Sequence, residues 1–469
     1  MILQVPAHEQ TRQPMEETKK LATFVRELVY EDLPEGVISK TKELVLDQLG
    51  CQAAGSTLPW TQPACEYALE YRGKKEESTV VNHGFRTSSQ DAAFVNATFG
   101  HAFLGDDADS VCRAHFGSII IPAALALGEK EGIGGKEFIR AVVAGYEVAS
   151  RIAAAAPLAM SRGFHPGPVF GTFGVAAAAA TILGLDEKKG MDALGIAASH
   201  SSGLMEYSLS GGTVNRLHSG IAAHGGIRAA LLAQRGFRGP ATILEGERGV
   251  LRAFSGECLP EEITRALGSG FRVLLIELKA HCCCGSSSAI FDAVSEIKSE
   301  HAIHPKEIEE ILVHVSRETF KLTGSIVEPG DITSAQFSGR FGMALRLIKG
   351  GNTFREYSEE NLRDREVLEL ARKTTMVLDE QIESLPNSNN PARVLIRLKN
   401  GGLFEKTVPA AKGSIQNPMT QEEVRQKFRD FASAALPVSK IEAIIETVSG
   451  LDSVDNVAQL TRLLVAGGP

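Results

Sequence analysis

Between two histidines the chain reads His101-Ala-Phe-Leu-Gly-Asp106-Asp107-Ala-Asp109-Ser110-Val-Cys-Arg-Ala-His115. Two imidazoles and three carboxylates fall in this stretch, and apolar runs flank it on both sides (Ala92 to Val95, Ile119 to Ile121). Titratable groups caught between buried elements mark a cleft in which protons change hands. A solvated acidic loop with one buried histidine would spell the same letters.

Four further segments carry groups of the same kind. In Arg162-Gly163-Phe164-His165-Pro166-Gly167 a histidine precedes a glycine- and alanine-rich helical pattern. Gly171 and Gly174 are expected to open that helix, whose free N–H groups suit an anion. An ordered turn residue is the other reading of His165. The set Asn215-Arg216-Leu217-His218 is expected ahead of a helix over 221–235. There the Arg216 guanidinium suits a two-pronged grip on a carboxylate, or else a surface salt bridge. Lys279-Ala-His281-Cys282-Cys283-Cys284-Gly285-Ser286 brings Lys279 and His281 together before a helix, as a carboxylate pocket would. The cysteines leave a thiol nucleophile open, but no aligned base can be named for it. In Gln336-Phe337-Ser338-Gly339-Arg340, the arginine is a second cation or a helix cap.

The inventory is imidazole, cation and helix N-terminus. It holds no P-loop, no GxGxxG between a strand and a helix, and no GxSxG. It also holds no CxxC and no HExxH, so no metal is expected. Proton transfer on a small carboxylate, without a cofactor, fits those groups. It needs a base tuned near neutral pH and cations to hold a developing enediolate.

These groups must be positioned by a large scaffold. The chain has 469 residues and exceeds the comfortable size of one hydrophobic core, so two domains are expected. Apolar residues recur at helical spacing from Leu21 to Val29 and from Val37 to Leu49. Asp32 and Pro34 punctuate the two stretches as an N-cap and an early-turn proline would. Further helices are expected over 91–101, 122–131, 135–156, 171–185, 188–200, 219–236 and 259–267. Several are alanine-rich and apolar nearly all round, which places them centrally in a bundle.

The pattern changes near Gly268. Val273 to Leu278 is a short β-type run, Glu310 to Val315 alternates, and Ala392 to Leu398 turns through Lys399-Asn400-Gly401-Gly402 into Leu403 to Val408. Helices over 286–300 and 334–349 lie between these strands, and helices return over 421–435, 440–447 and 457–466. The expected fold is mainly α: a large helical domain built from 1–268 and 411–469, and a smaller α+β lid over 269–410.

Bulk properties narrow the function. The hydrophobic fraction of 43% and charged fraction of 23% are those of an ordinary soluble protein, and the net charge of −8 argues against nucleic acid as a partner. The first twenty residues lack the apolar core of an export signal, and no stretch reads as a membrane span. The seven cysteines form no disulfide framework and read as reduced thiols of a cytoplasmic protein.

Taken together, the motifs resemble the MmgE/PrpD family. They are Asp47-Gln48-Leu49-Gly50-Cys51, Ala93-Phe94-Val95-Asn96-Ala97, Gly163-Phe164-His165-Pro166, Gly171-Thr172-Phe173-Gly174, Arg216-Leu217-His218-Ser219-Gly220, Gln336-Phe337-Ser338 and Lys412-Gly413. The family includes 2-methylcitrate dehydratase, cis-aconitate decarboxylase and iminodisuccinate epimerase. The resemblance implies a homodimer, with a metal-independent active site between helical domain and lid. It carries the family's Asp-Asp pair onto Asp106 and Asp107, its histidines onto His115 and His165, and its lid lysine onto Lys279. The chain departs from the family with Leu104 for an aspartate, Ala108 for a threonine, Asn215 for a lysine, and Cys282-Cys283-Cys284 at the lid turn.

The expectation is a lyase that dehydrates a small polycarboxylate. His115 and His165 exchange protons, Asp107 orients a histidine or a loop, and Arg216, Lys279, His218, Asn215, Asp106, Arg340 and His281 serve the substrate. Decarboxylation, epimerisation and a catalytically silent scaffold are the alternatives.

Overall fold

The computed structural model describes residues 16–467. The stretch read above as lacking an export signal lies mostly outside them. The chain is mainly α, and its sheets are small. Among the described residues, no helix is long and apolar enough to cross a membrane.

The centre of the helical part is the helix Pro166–Ile182, buried from Pro166 through Thr181. It packs between the helices Gly135–Ala155 and Val214–Gln234. Its alanines and glycines permit that closeness. A Cβ on Gly174 would stand 2.7 Å from the Gly145 carbonyl oxygen, so two backbones nearly touch there.

Buried apolar side chains fall into two clusters. One joins Leu21 through Leu278 to residues Val424 through Leu464. The other gathers side chains between Cys282 and Ala411, together with Cys51, Ala54, Leu58, Ala102, Phe103 and Phe431. The second contains a four-stranded sheet in the order Thr374–Leu378, Ile308–Val315, Ala392–Leu398, Leu403–Val408. The first pair is parallel and the others antiparallel. The hairpin closes through Gly401, whose φ of 89° suits the turn. After the sheet, the helix Gln421–Ala432 returns to pack on Glu35–Gly55.

Several expected boundaries shift. The run from Val273 is a 3-10 turn (Arg272–Leu275) followed by a strand of two residues, Ile276–Glu277. Its partner is another two-residue piece, Ala108–Asp109, so there is no sheet edge to extend it. The helix expected from Gly171 begins at Pro166, because proline suits the first helical position. The helix expected from 219 begins at Val214 and takes in Asn215, Arg216 and His218. The helix expected over 334–349 breaks at Phe337, and the Ser338 hydroxyl caps a new one, Gly339–Lys349. The strand Thr374–Leu378 had no counterpart in the reading of the sequence.

Candidate active site

A cavity of about 250 Å³ opens beside the loop 101–116. Its walls include His101, Leu104, His115, His165, Asn215 and Lys279. The loop starts where the helix Ser89–Gly100 stops, with His101 as its C-terminal cap residue. It ends where the helix Gly117–Glu131 starts. In between, Ala108–Asp109 pairs with Ile276–Glu277, and Asp109 Oδ1 accepts from the Val111 and Cys112 amides. Asp109 thus shapes the loop.

Asp106 is fully buried, and its carboxylate meets three nitrogen-bearing side chains. His101 Nδ1 lies 2.7 Å from Oδ2, His115 Nδ1 4.0 Å from Oδ2, and Lys279 Nζ 3.9 Å from Oδ1. Burial alone would raise this carboxyl. The histidines and the lysine outweigh that and hold it well below the usual carboxylate range.

Asp107 turns the other way. Its Oδ2 accepts from the Tyr146 hydroxyl at 2.7 Å, and both oxygens accept from the Gly117 amide at 3.1 Å. A Cβ on residue 117 would stand 2.6 Å from the Tyr146 hydroxyl oxygen, so glycine is what lets these groups meet at the helix start. Burial, and then the charge of Asp106, push the Asp107 carboxyl up to about 7.

The histidines are arranged by their ring nitrogens. A carbonyl oxygen can only accept, so His115 Nδ1 donates to the Asp107 carbonyl and Nε2 is left as the basic nitrogen. By the same logic the His101 Nδ1–H faces the Asp106 carboxylate. The His101 ring lies 5.3 Å from that of His115 and 6.1 Å from that of His165, centre to centre. His165 and His218 share a contact of 3.0 Å between their Nδ1 atoms, so one ring donates and the other accepts. Burial, then the positive charge of Lys279, holds His115 down to about 4. Burial, then His101, holds His218 down to about 4 and His165 well below its usual value. These three imidazoles are neutral at pH 7.

The residues expected to serve the substrate divide. Lys279 lines the cavity, and Asn215 lines it with a buried Oδ1 that meets no donor. Arg216 faces elsewhere: it donates to the Ala102 carbonyl and to Thr333 Oγ1 (2.9 Å), and its guanidinium stacks over Trp60. His281 Nε2 is held by Asp292 at 2.8 Å. His281, Arg340, Asp106, Asp107 and His218 are not among the lining residues, and Asp106 and His218 act on the wall from just behind it.

Other lining groups were missed. His101 stood in the first stretch without a role, although its spacing from Asp106 was visible. Arg113 lines the mouth and forms a two-pronged pair with Glu318 of the helix Arg317–Thr323. Asn389 and Asn390 also line it, and the run Asn387-Ser388-Asn389-Asn390-Pro391 was the available signal. Of the departures from the family, Leu104, Ala108, Asn215, Cys283 and Cys284 line the cavity, and Cys282 does not. Burial pushes the Cys282 thiol up to about 12 and that of Cys283 higher, so neither is a thiolate nucleophile.

Asp106, Asp107 and His115 bring ligand atoms within 4.8 Å of one another. Yet His115 Nδ1 is committed as a donor, both Asp107 oxygens already accept, and Lys279 repels a cation beside Asp106. The set fits a proton network better than a metal.

Among curated proteins, the cis-aconitate decarboxylase-like protein oryM of Aspergillus oryzae is 29% identical over 472 residues, which is 95% of this chain and 97% of that protein. The cis-aconitate decarboxylase of Aspergillus terreus is 29% identical, over 95% of each chain. That of Homo sapiens is 28% identical, over 96% of this chain and 95% of the human one. Residues 19–262 match the MmgE/PrpD N-terminal domain and residues 281–453 the MmgE/PrpD C-terminal domain. The chain belongs to the MmgE/PrpD family.

Proposed function

We propose that the chain is a lyase acting on a small polycarboxylate, and that it removes carbon dioxide. One observation carries the reading. Imidazoles from distant parts of the chain share one cavity wall with Lys279, around the anionic Asp106. The likeness to cis-aconitate decarboxylases supports the choice of bond.

In that reaction the bond to one carboxylate carbon breaks and carbon dioxide leaves. The bonding pair passes into the adjoining unsaturated carbon framework, which then takes a proton from an imidazolium. Lys279 and the Asn215 amide hold the carboxylates that stay. The imidazole must first be loaded. Neutral on its own, it gains proton affinity when substrate carboxylates arrive beside it. His115 and His165 are the proton carriers in this reading. Asp106 fixes the His101 tautomer, and Asp107 holds the loop at the helix start. Residues 269–410 serve as the lid, and the working form is a homodimer.

Dehydration is the second reading, and the paired rings favour it. Loss of water needs a base for the carbon acid and an acid for the leaving hydroxide. The His101–Asp106 pair and the His165–His218 pair give two separately hydrogen-bonded imidazole groups, one beside a carboxylate and one beside another ring.

The test is a carbon-13 NMR time course with trapping of carbon dioxide. The purified protein is given cis-aconitate, citrate and 2-methylcitrate. Carbon dioxide released from cis-aconitate is the expected result. Loss of water from a hydroxy acid without gas would replace decarboxylation by dehydration, and an inert panel would overturn both.

A further inference from the structure

The backbone of 102–105 is gripped by side chains from four distant parts of the chain. The Ala102 carbonyl accepts from Trp60 Nε1 at 2.9 Å and from Arg216 Nη1. The Phe103 carbonyl accepts from Gln336 Nε2 at 2.6 Å. The Gly105 carbonyl accepts from Lys427 Nζ at 2.8 Å. Arg216, Gln336 and Lys427 are all buried, and they come from the helices Val214–Gln234, Ile332–Gln336 and Gln421–Ala432. In the middle sits Leu104 with φ 57°. Leucine is strained in this left-handed region and stays there only where its surroundings hold it. Asp106 follows one residue after Gly105.

The same donors reach across to the lid. Gln336 Nε2 also donates to the Cys282 carbonyl at 3.0 Å, so one amide fastens the loop of Asp106 to the turn that carries Lys279. Arg216 Nη2 reaches Thr333. Lys427 pairs with the buried Asp47 at 2.5 Å, which keeps its ammonium charged in the interior.

We infer that Arg216, Gln336 and Lys427 are positioning residues that hold 102–105 in its strained path, and so set Asp106 against His101 and Lys279. The inference rests on the lyase reading above. None of the three lines the cavity, so each acts through the loop backbone. It gives the Arg216 cation a task other than gripping substrate. It also explains how a leucine can occupy position 104.

Gln336→Met is the sharpest variant, because it is close in volume and strands no charge. Two measurements are made on the full-length chain: backbone hydrogen exchange of 102–108 without ligand, and kinetics on cis-aconitate. Exchange at least about tenfold faster is expected. With it, kcat falls at least about tenfold while KM stays within about threefold. Lys427→Arg keeps a donor and is expected to exchange like the wild type. The double change Asp47→Leu with Lys427→Met removes the buried pair together and is expected to loosen the loop. Arg397→Met is the control. It breaks an exposed pair with Glu310 on the four-stranded sheet, away from 102–105, and should leave exchange and rate unchanged.

Wild-type exchange in folded Gln336→Met would overturn the clamp, whether or not cis-aconitate is a substrate. Faster exchange with an unchanged kcat would remove its bearing on catalysis. Faster exchange in a chain whose wild type converts no polycarboxylate would sink the lyase reading and leave the clamp standing.

Discussion

Asp106 and Asp107 are adjacent in the chain and both are buried, yet they face different regions. Asp106 faces the imidazoles and the lysine of the cavity wall, and stays an anion well below the usual range. Asp107 faces the helical core, where its partners are a phenol and a backbone amide. Those donors are neutral, and its carboxyl rises to about 7. The cost of burial is common to both. What differs is that positive groups answer it at Asp106, whereas Asp107 meets only dipoles and, besides, the negative charge of Asp106 itself. One region therefore keeps a fixed negative charge against titratable rings, while the other keeps a helix start in place.

Removing the positive charge from the cavity side should break the contrast most. Lys279→Met takes the ammonium away from Asp106 and from the substrate carboxylates. The expected loss in kcat/KM on cis-aconitate is about 100- to 1000-fold, the scale of one lost electrostatic stabiliser. The same variant should let His115 titrate higher, because the Lys279 charge is second only to burial in holding that ring down. A titration of the ring by NMR reads this directly. An unchanged or lower His115 midpoint would mean that the lysine does not govern the ring.

A smaller effect is expected on the core side. An unfolded aspartate titrates near about 4. The folded Asp107 carboxyl titrates at about 7. Between those values the folded chain keeps a proton that the unfolded chain has lost. Stability from this group is therefore full below the window and falls as pH rises through it. Asp107→Asn does not titrate. Its melting temperature relative to wild type should climb between pH 5 and pH 8, by a few degrees at most. A constant offset across that range would show that the carboxyl is not raised.

The cavity side was easier to read in the sequence than the core side. Polar titratable residues between two apolar runs marked the loop, and the Gly401-Gly402 turn marked the hairpin of Ala392–Leu398 and Leu403–Val408. The orientation of Asp107 was hidden, since adjacency does not say which way a side chain turns. Arg216 was misread for a related reason. Its partners, Ala102, Trp60 and Thr333, lie more than a hundred residues away, and no local pattern carries that pairing. The helix around it was misplaced because Gly211-Gly212-Thr213 and the polar Asn215, Arg216 and His218 look like a turn. In the fold that polar face is turned inward and buried. The strand Thr374–Leu378 was missed because it is short, and it directly follows the helix Arg365–Arg372, which the reading of the sequence also passed over.

The most direct measurement sets the two carboxyls side by side. Steady-state kinetics on cis-aconitate are run for Asp106→Asn and Asp107→Asn, with circular dichroism to establish that both are folded. The account predicts a loss in kcat/KM of about 1000-fold or more for Asp106→Asn, which strips the fixed charge from the imidazoles, and about tenfold or less for Asp107→Asn. Equal losses, or the reverse order, would contradict it.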